Sequence, residues 1–148
     1  ALAPEGVPNM DILVSDLDGK NQRGLQVKTR LEKGSDGGWH MSKKHEDLTS
    51  RSLFYSFVNF GPNPDYDPDV WILPSDTVAK VLRETHEVWL TTPGARGQSR
   101  KDSNYRRLVP DYSYAYKPQP PAYARGWMDP YKSAWHLLGI DGGIEKDV

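Results

Sequence analysis

The residue types best suited to chemistry are Asp11 and, further along, the run Gln26-Val27-Lys28. In a β-strand Gln26 and Lys28 lie two apart and share a face, while Val27 turns the other way into packing. If the strand carrying Asp11 pairs with the strand carrying Gln26, Asp11 comes to lie beside them. The grouping then offers a carboxylate oxygen, an amide oxygen and the backbone carbonyl of Val27, the hard oxygen donors that Mg²⁺ prefers. Lys28 can hold or deprotonate a water next to them. A cation that polarises a phosphate and activates its own water, with a lysine to stabilise developing charge, suits metal-assisted hydrolysis of a phosphodiester.

The surrounding pattern predicts the elements that must position these groups. Met10 to Ser15 alternates with a strand period, with Met10, Ile12 and Val14 on one side and Asp11, Leu13 and Ser15 on the other. Asp16 to Asn21 is dense in turn formers, and Gly24 to Arg30 follows as a second strand, so the two read as a β-hairpin. Gly34 to Gly38 is another turn cluster, and Trp39 to Ser42 can pair as a short third strand. Lys43 to Ser52 reads as polar loop or a single helical turn. Leu53 to Phe60 is apolar on both faces, as a strand covered on both sides is, and is the expected centre of the sheet.

Beyond the proline-rich loop Gly61 to Pro68, Val70 to Leu73 reads as a short buried strand. Ser75 is the expected N-cap of a helix whose buried face is Val78, Val81, Leu82, Thr85 and Trp89, with Asp76 at its positive end. Pro93 to Asn104 is Gly-rich and basic and reads as a mobile loop carrying Arg96, Arg100 and Lys101. Pro110 to Pro130 has no clear period and suggests an extended segment across the domain, and Tyr131 to Leu138 a closing short helix through Tyr131, Trp135 and Leu138.

At Asp11 and Gln26-Val27-Lys28-Thr29 the sequence resembles the PD-(D/E)XK, or restriction-endonuclease-like, nuclease superfamily. An Asp opens one hairpin strand and a (Glu/Gln)-x-Lys tripeptide lies on the next. The string is similar to the Gln-x-Lys variant of Holliday-junction-resolvase-like and uncharacterised bacterial members, and the order of elements agrees over roughly Asp11 to Leu90. The resemblance implies an α/β (α+β) domain with a central mixed sheet, a leading hairpin and flanking helices. It implies catalytic Asp11, Gln26 and Lys28, with Asp11, Gln26 and the Val27 carbonyl holding Mg²⁺ or Mn²⁺, and metal-dependent cleavage of DNA. Two differences stand against the pattern. The usual leading helix with its metal-binding Glu is missing or displaced, since only Glu5 is acidic before Asp11: either a C-terminal segment replaces it, or a second copy packs there, or the chain is a truncated form that no longer cuts. Gln26 stands where Glu is commoner, which removes a negative charge from the metal site.

Composition sets outer bounds. The chain has 148 residues with 36% hydrophobic and 26% charged, enough for one domain with its own core. A net charge of −1 gives no global attraction for a polyanion, so DNA binding requires a local patch. Lys43, Lys44, Arg96, Arg100 and Lys101 are the candidate nucleic-acid-binding residues, with Arg106 and Arg107 nearby; singly, such charges more often solvate a surface. The sequence has no cysteine, which excludes disulfides, thiolate metal sites and a thiol nucleophile. The longest apolar runs are far too short to span a bilayer, and no secretion signal opens the chain, so the expected location is cytoplasmic.

Asp65-x-Asp67-x-Asp69 lacks the glycine and the bidentate Glu of a calcium loop. His40, His45, His86 and His136 show no zinc spacing, although His40 and His45 are near enough to the hairpin to support a site there. Tyr112, Tyr114, Tyr116 and Tyr123, interleaved with prolines, are expected to pack rather than stack on bases, filling the place of the absent helix in their own chain or in a homodimer partner. Two rivals to a working nuclease are a catalytically silent relative that binds nucleic acid or protein, and an unrelated α/β interaction module that would place Asp11 and Lys28 on opposite faces.

Overall fold

The leading hairpin forms as its turn chemistry dictates: Ile12–Ser15 (β1) runs antiparallel to Gln22–Arg30 (β2), with Ile12 opposite Leu25 and Ser15 opposite Gln22. Gly19 takes a φ of 73° in the turn, a conformation that L side chains resist, and Asp16 accepts the Asn21 N–H there. The computed structural model describes residues 1–2, 8–33, 37–113 and 121–140. Glu5, Tyr114, Tyr116 and the first three residues of the Gly34–Gly38 turn lie outside the described residues.

Leu53–Asn59 (β4) pairs with β2 in parallel and with Asp69–Pro74 (β5) antiparallel, giving a four-stranded mixed sheet in the order β1-β2-β4-β5. The two-sided apolar run thus occupies an inner position, and Phe54, Tyr55, Ser56 and Phe57 are all buried. Trp39–Ser42 (β3) is a strand as expected, but it leaves the main sheet and pairs antiparallel with Tyr105–Leu108 (β6), a strand the sequence did not announce. A single turn of 3-10 helix follows at Lys43–Glu46.

The helix spans Ser75–Thr91 (α1) and buries Val78, Val81, Leu82 and Thr85 of the stripe read from the 3.6-residue period, together with Ala79, while Trp89 at the end of that stripe is only half-buried. Ser75 is not its N-cap: Pro74 holds that position, and the Ser75 hydroxyl instead accepts the Ser50 N–H and donates to the Ser50 carbonyl, both at 2.9 Å. Those two bonds tie the start of α1 to the entrance of β4.

The sheet therefore has two covered faces. On one, α1 and the β3–β6 ribbon enclose Trp39, Met41, Tyr55, Phe57, Leu73 and Leu108, joined by Tyr112, Tyr123 and Met128 from the C-terminal third. Tyr112 and Tyr123 are core residues, which agrees with packing rather than base stacking as their role. On the other face Leu25, Phe54 and Ile72 meet Ala134 and Leu138. The expected closing helix is instead two 3-10 turns, Asp129–Tyr131 and Trp135–Leu138, and Trp135 is half exposed while Ala134 and Leu138 point inward. No helix among the described residues is long and apolar enough to cross a membrane.

Candidate functional site

Asp11 sits just before β1, and its position follows from the hairpin register. Because Ile12 faces Leu25, the next pair outward is Asp11 with Gln26, and cross-strand partners share a face. Ile12 and Leu25 pack on the C-terminal side of the sheet, so Asp11, Gln26 and Lys28 all belong to the face that carries α1 and β3. The opposite-face arrangement that would have favoured an unrelated module is absent.

Main-chain bonds fix Asp11. Its N–H donates to the Leu25 carbonyl at 2.8 Å, and its carboxylate Oδ2 accepts the Val27 N–H at 2.7 Å. The other oxygen, Oδ1, accepts no hydrogen bond among the described residues. Since the N–H and C=O of one residue in an extended strand leave on the same edge, the Val27 carbonyl faces the edge where Asp11 stands. Gln26 Oε1 is enclosed and has no hydrogen-bond partner. A buried acceptor left in this state costs about 1–3 kcal/mol, so it is a place where a bound cation or water restores what folding removed.

Lys28 is half-buried on the same face, opposite Phe57 of β4. Burial holds its ammonium below the ordinary lysine range, the positive charge of Lys44 pushes it further down, and Asp11 pulls partly against them. Lys28 is thus electrically joined to both the carboxylate and a second cation. Of the five basic residues expected to contact nucleic acid, Lys44 alone acts on Lys28; Lys43 is its exposed neighbour in the turn after β3. Arg100 is anchored at the far end of α1, with Nε donating to the Thr92 carbonyl at 2.8 Å and its guanidinium 4.7 Å over the Trp89 ring. Arg96 and Lys101 lie in the same loop, exposed, and no hydrogen bond or ion pair among the described residues links the three to Asp11, Gln26 or Lys28. Arg106 is interior, paired with Glu46 and bonded to the Ser103 carbonyl at 2.7 Å.

Two further residues border the site. Parallel pairing sets Tyr55 opposite Gln26, on the same face, and His45 packs edge-on against Tyr55 with ring centroids 5.9 Å apart. His45 Nδ1 accepts the Ser42 N–H at 2.9 Å, which assigns the proton of the neutral ring to Nε2. Nε2 and the Tyr55 hydroxyl are both enclosed without a partner. Burial and the nearby Lys28 lower the His45 pKa to about 4, and burial pushes Tyr55 up to about 12. His45 was visible as a neighbour of the hairpin in sequence; Tyr55 was not, because its place depends on the parallel register of β2 and β4.

The donor set suits a divalent cation. Asp11 Oδ1, Gln26 Oε1 and the Val27 carbonyl are hard oxygens from neighbouring positions of the hairpin, and Mg²⁺ is commonly held through one or two carboxylates with phosphate and water completing its shell. Among the described residues no group of three or more His, Cys, Asp or Glu stands together, so an all-protein cage of such ligands is not what they build. No family model matches this chain, and no solved structure matches it.

Proposed function

We propose that this domain is a divalent-cation-dependent phosphodiesterase acting on DNA, with Asp11 and Gln26 as cation ligands, the Val27 carbonyl beside them and Lys28 as the catalytic cation. The observation that carries the reading is the Asp11 carboxylate, held by the Val27 N–H next to a partnerless Gln26 oxygen and within electrostatic reach of Lys28. When bound, the cation polarises the scissile phosphate and activates water. The chain's own part is positional. The Val27 N–H keeps Asp11 from rotating away, while Lys28, half-buried and beside Lys44, is poised to take a proton from water or to stabilise charge on the phosphate.

The test is cleavage of branched, single-stranded and duplex DNA with Mg²⁺ or Mn²⁺, compared with Lys28→Ala. Loss of about a hundredfold or more in rate is expected from removing a group that acts at the transition state. Unchanged cutting by Lys28→Ala ends the assignment.

One observation favours a second reading, a DNA-binding module without catalysis: the site holds a single carboxylate among cations. Mn²⁺ titration separates the two, because a silent relative binds the cation no better than its Asp11→Asn variant.

A further inference from the structure

Beside the catalytic candidates lies a groove of about 250 Å³ between β2 and β3, whose walls include Lys28, Arg30, Lys33, Trp39 and His40. No carboxylate stands among the described residues that line it. Strand alternation puts Arg30 on the face of Gln26 and Lys28, one step further along β2. Its guanidinium lies 4.6 Å over the centroid of the Trp39 ring, and Trp39 is itself locked by donating Nε1–H to the Val58 carbonyl at 3.1 Å. Nε of Arg30 is enclosed and without a hydrogen-bond partner, and no ion pair ties the guanidinium to a carboxylate among the described residues. The charges acting on Arg30 are Glu32, which steadies the guanidinium, and Arg107, which opposes it. Arg107 faces His40 across the β3–β6 ribbon. A cation held on an aromatic ring, whose terminal guanidinium nitrogens make no hydrogen bond or ion pair among the described residues and which has further cations around it, is built to receive an oxyanion.

We propose that this groove is a second phosphate subsite, in which Arg30, with Lys33 at the rim, grips the DNA backbone next to the phosphate being cut. The inference rests on the phosphodiesterase reading for the placement of the first phosphate at Lys28. Strand rise of about 3.3 Å per residue puts Arg30 about 6.6 Å beyond Lys28 along β2. A DNA strand advances about 3.4 Å per nucleotide, so Arg30 meets the phosphate one or two nucleotides away. Contact with phosphate alone fixes register without reading bases, so the subsite orients the strand and carries no sequence preference.

The experiment is fluorescence anisotropy of a fluorescein-labelled DNA duplex over a series of NaCl concentrations, with EDTA present so that nothing is cut. Arg30→Gln is expected to weaken binding about tenfold and to lower the slope of log K against log salt by about 1, the signature of one lost phosphate contact. Arg30→Lys keeps the charge and is expected to keep the slope. Because Arg30 packs on Trp39, Lys33→Gln at the exposed rim serves as a second variant, with a lowered slope and an unchanged melting temperature expected. Native affinity and slope in both Arg30→Gln and Lys33→Gln overturn the subsite. The nuclease reading is judged apart from this, by cleavage with Mg²⁺ or Mn²⁺: native protein that binds through Arg30 yet cuts nothing refutes catalysis while the subsite stands, and native protein that cuts DNA while its binding in EDTA does not depend on Arg30 or Lys33 refutes the subsite alone.

Discussion

Acid should destabilise this protein through the buried His45. The ring is 2% exposed, packs on Tyr55 and shares its surroundings with Lys28 and Lys44, and these hold its pKa at about 4 against an ordinary 6.5. Between those two values an unfolded chain takes up a proton that the folded protein refuses. The folded state is therefore favoured in full above about pH 6.5 and loses ground steadily as the pH falls toward 4. At about 1.4 kcal/mol per pH unit the loss is on the order of 3 kcal/mol, a large part of the stability of a small domain. The assay is urea unfolding at a series of pH values from about 7.5 to about 4, for the native protein and for His45→Asn. Asparagine can accept the Ser42 N–H through its side-chain oxygen as Nδ1 does, but has no titrating ring. The carboxylates titrate in both proteins and cancel in the difference, so the native protein should lose roughly 2–3 kcal/mol more than the variant across this window. Superimposable pH profiles, or an NMR titration of His45 near 6.5, refute the reasoning.

Two further substitutions probe the same face. Tyr55→Phe removes an enclosed hydroxyl that has no partner while keeping the ring stacked on Phe57 at 5.7 Å, so chemical denaturation should show stability unchanged or raised by about 1 kcal/mol; a loss of that size would instead mean that the hydroxyl holds a buried water with Gln26 and His45. Gln26→Glu adds a second carboxylate beside Asp11, and Mn²⁺ titration should show binding tightened about tenfold, with the metal-free protein destabilised by about 1 kcal/mol for burying the new charge. An unaltered Mn²⁺ affinity would remove Gln26 from the cation site.

Where one local period governs a segment, the sequence was legible. The hairpin, the inner strand Leu53–Asn59 and the buried stripe of α1 follow from alternation and from helical spacing. So does the shared face of Asp11, Gln26 and Lys28, because strand parity alone decides it. The strand Tyr105–Leu108 escaped for a physical reason: of its two inward residues, Arg106 and Leu108, the first is a buried cation made tolerable by Glu46, which no hydropathy pattern marks as core. Ser75 carries the signature of a helix cap but spends its hydroxyl on Ser50, a partner brought in by tertiary structure. The predicted basic patch divided for a similar cause, since Lys44 reaches the site through the turn after β3 while Arg100 is committed to Trp89 and Thr92. Arg30 was open to the same parity argument as Lys28. Its meaning emerged only when Trp39, from a strand outside the main sheet, supplied the ring beneath it.

The two 3-10 turns at Asp129–Tyr131 and Trp135–Leu138 also impose an order of events. They lie on the far side of the sheet, where the Ser133 N–H donates to the Val70 carbonyl at 2.7 Å, Lys132 pairs with Asp69 at 3.1 Å and the Leu138 carbonyl accepts from Arg23 at 3.0 Å. Leu25, Phe54 and Ile72 stay wet until those turns arrive, however early the strands themselves pair. On a translating ribosome the nascent domain therefore emerges with one greasy side bare, and it becomes safe from sticking to its neighbours only after Leu138 has cleared the exit tunnel.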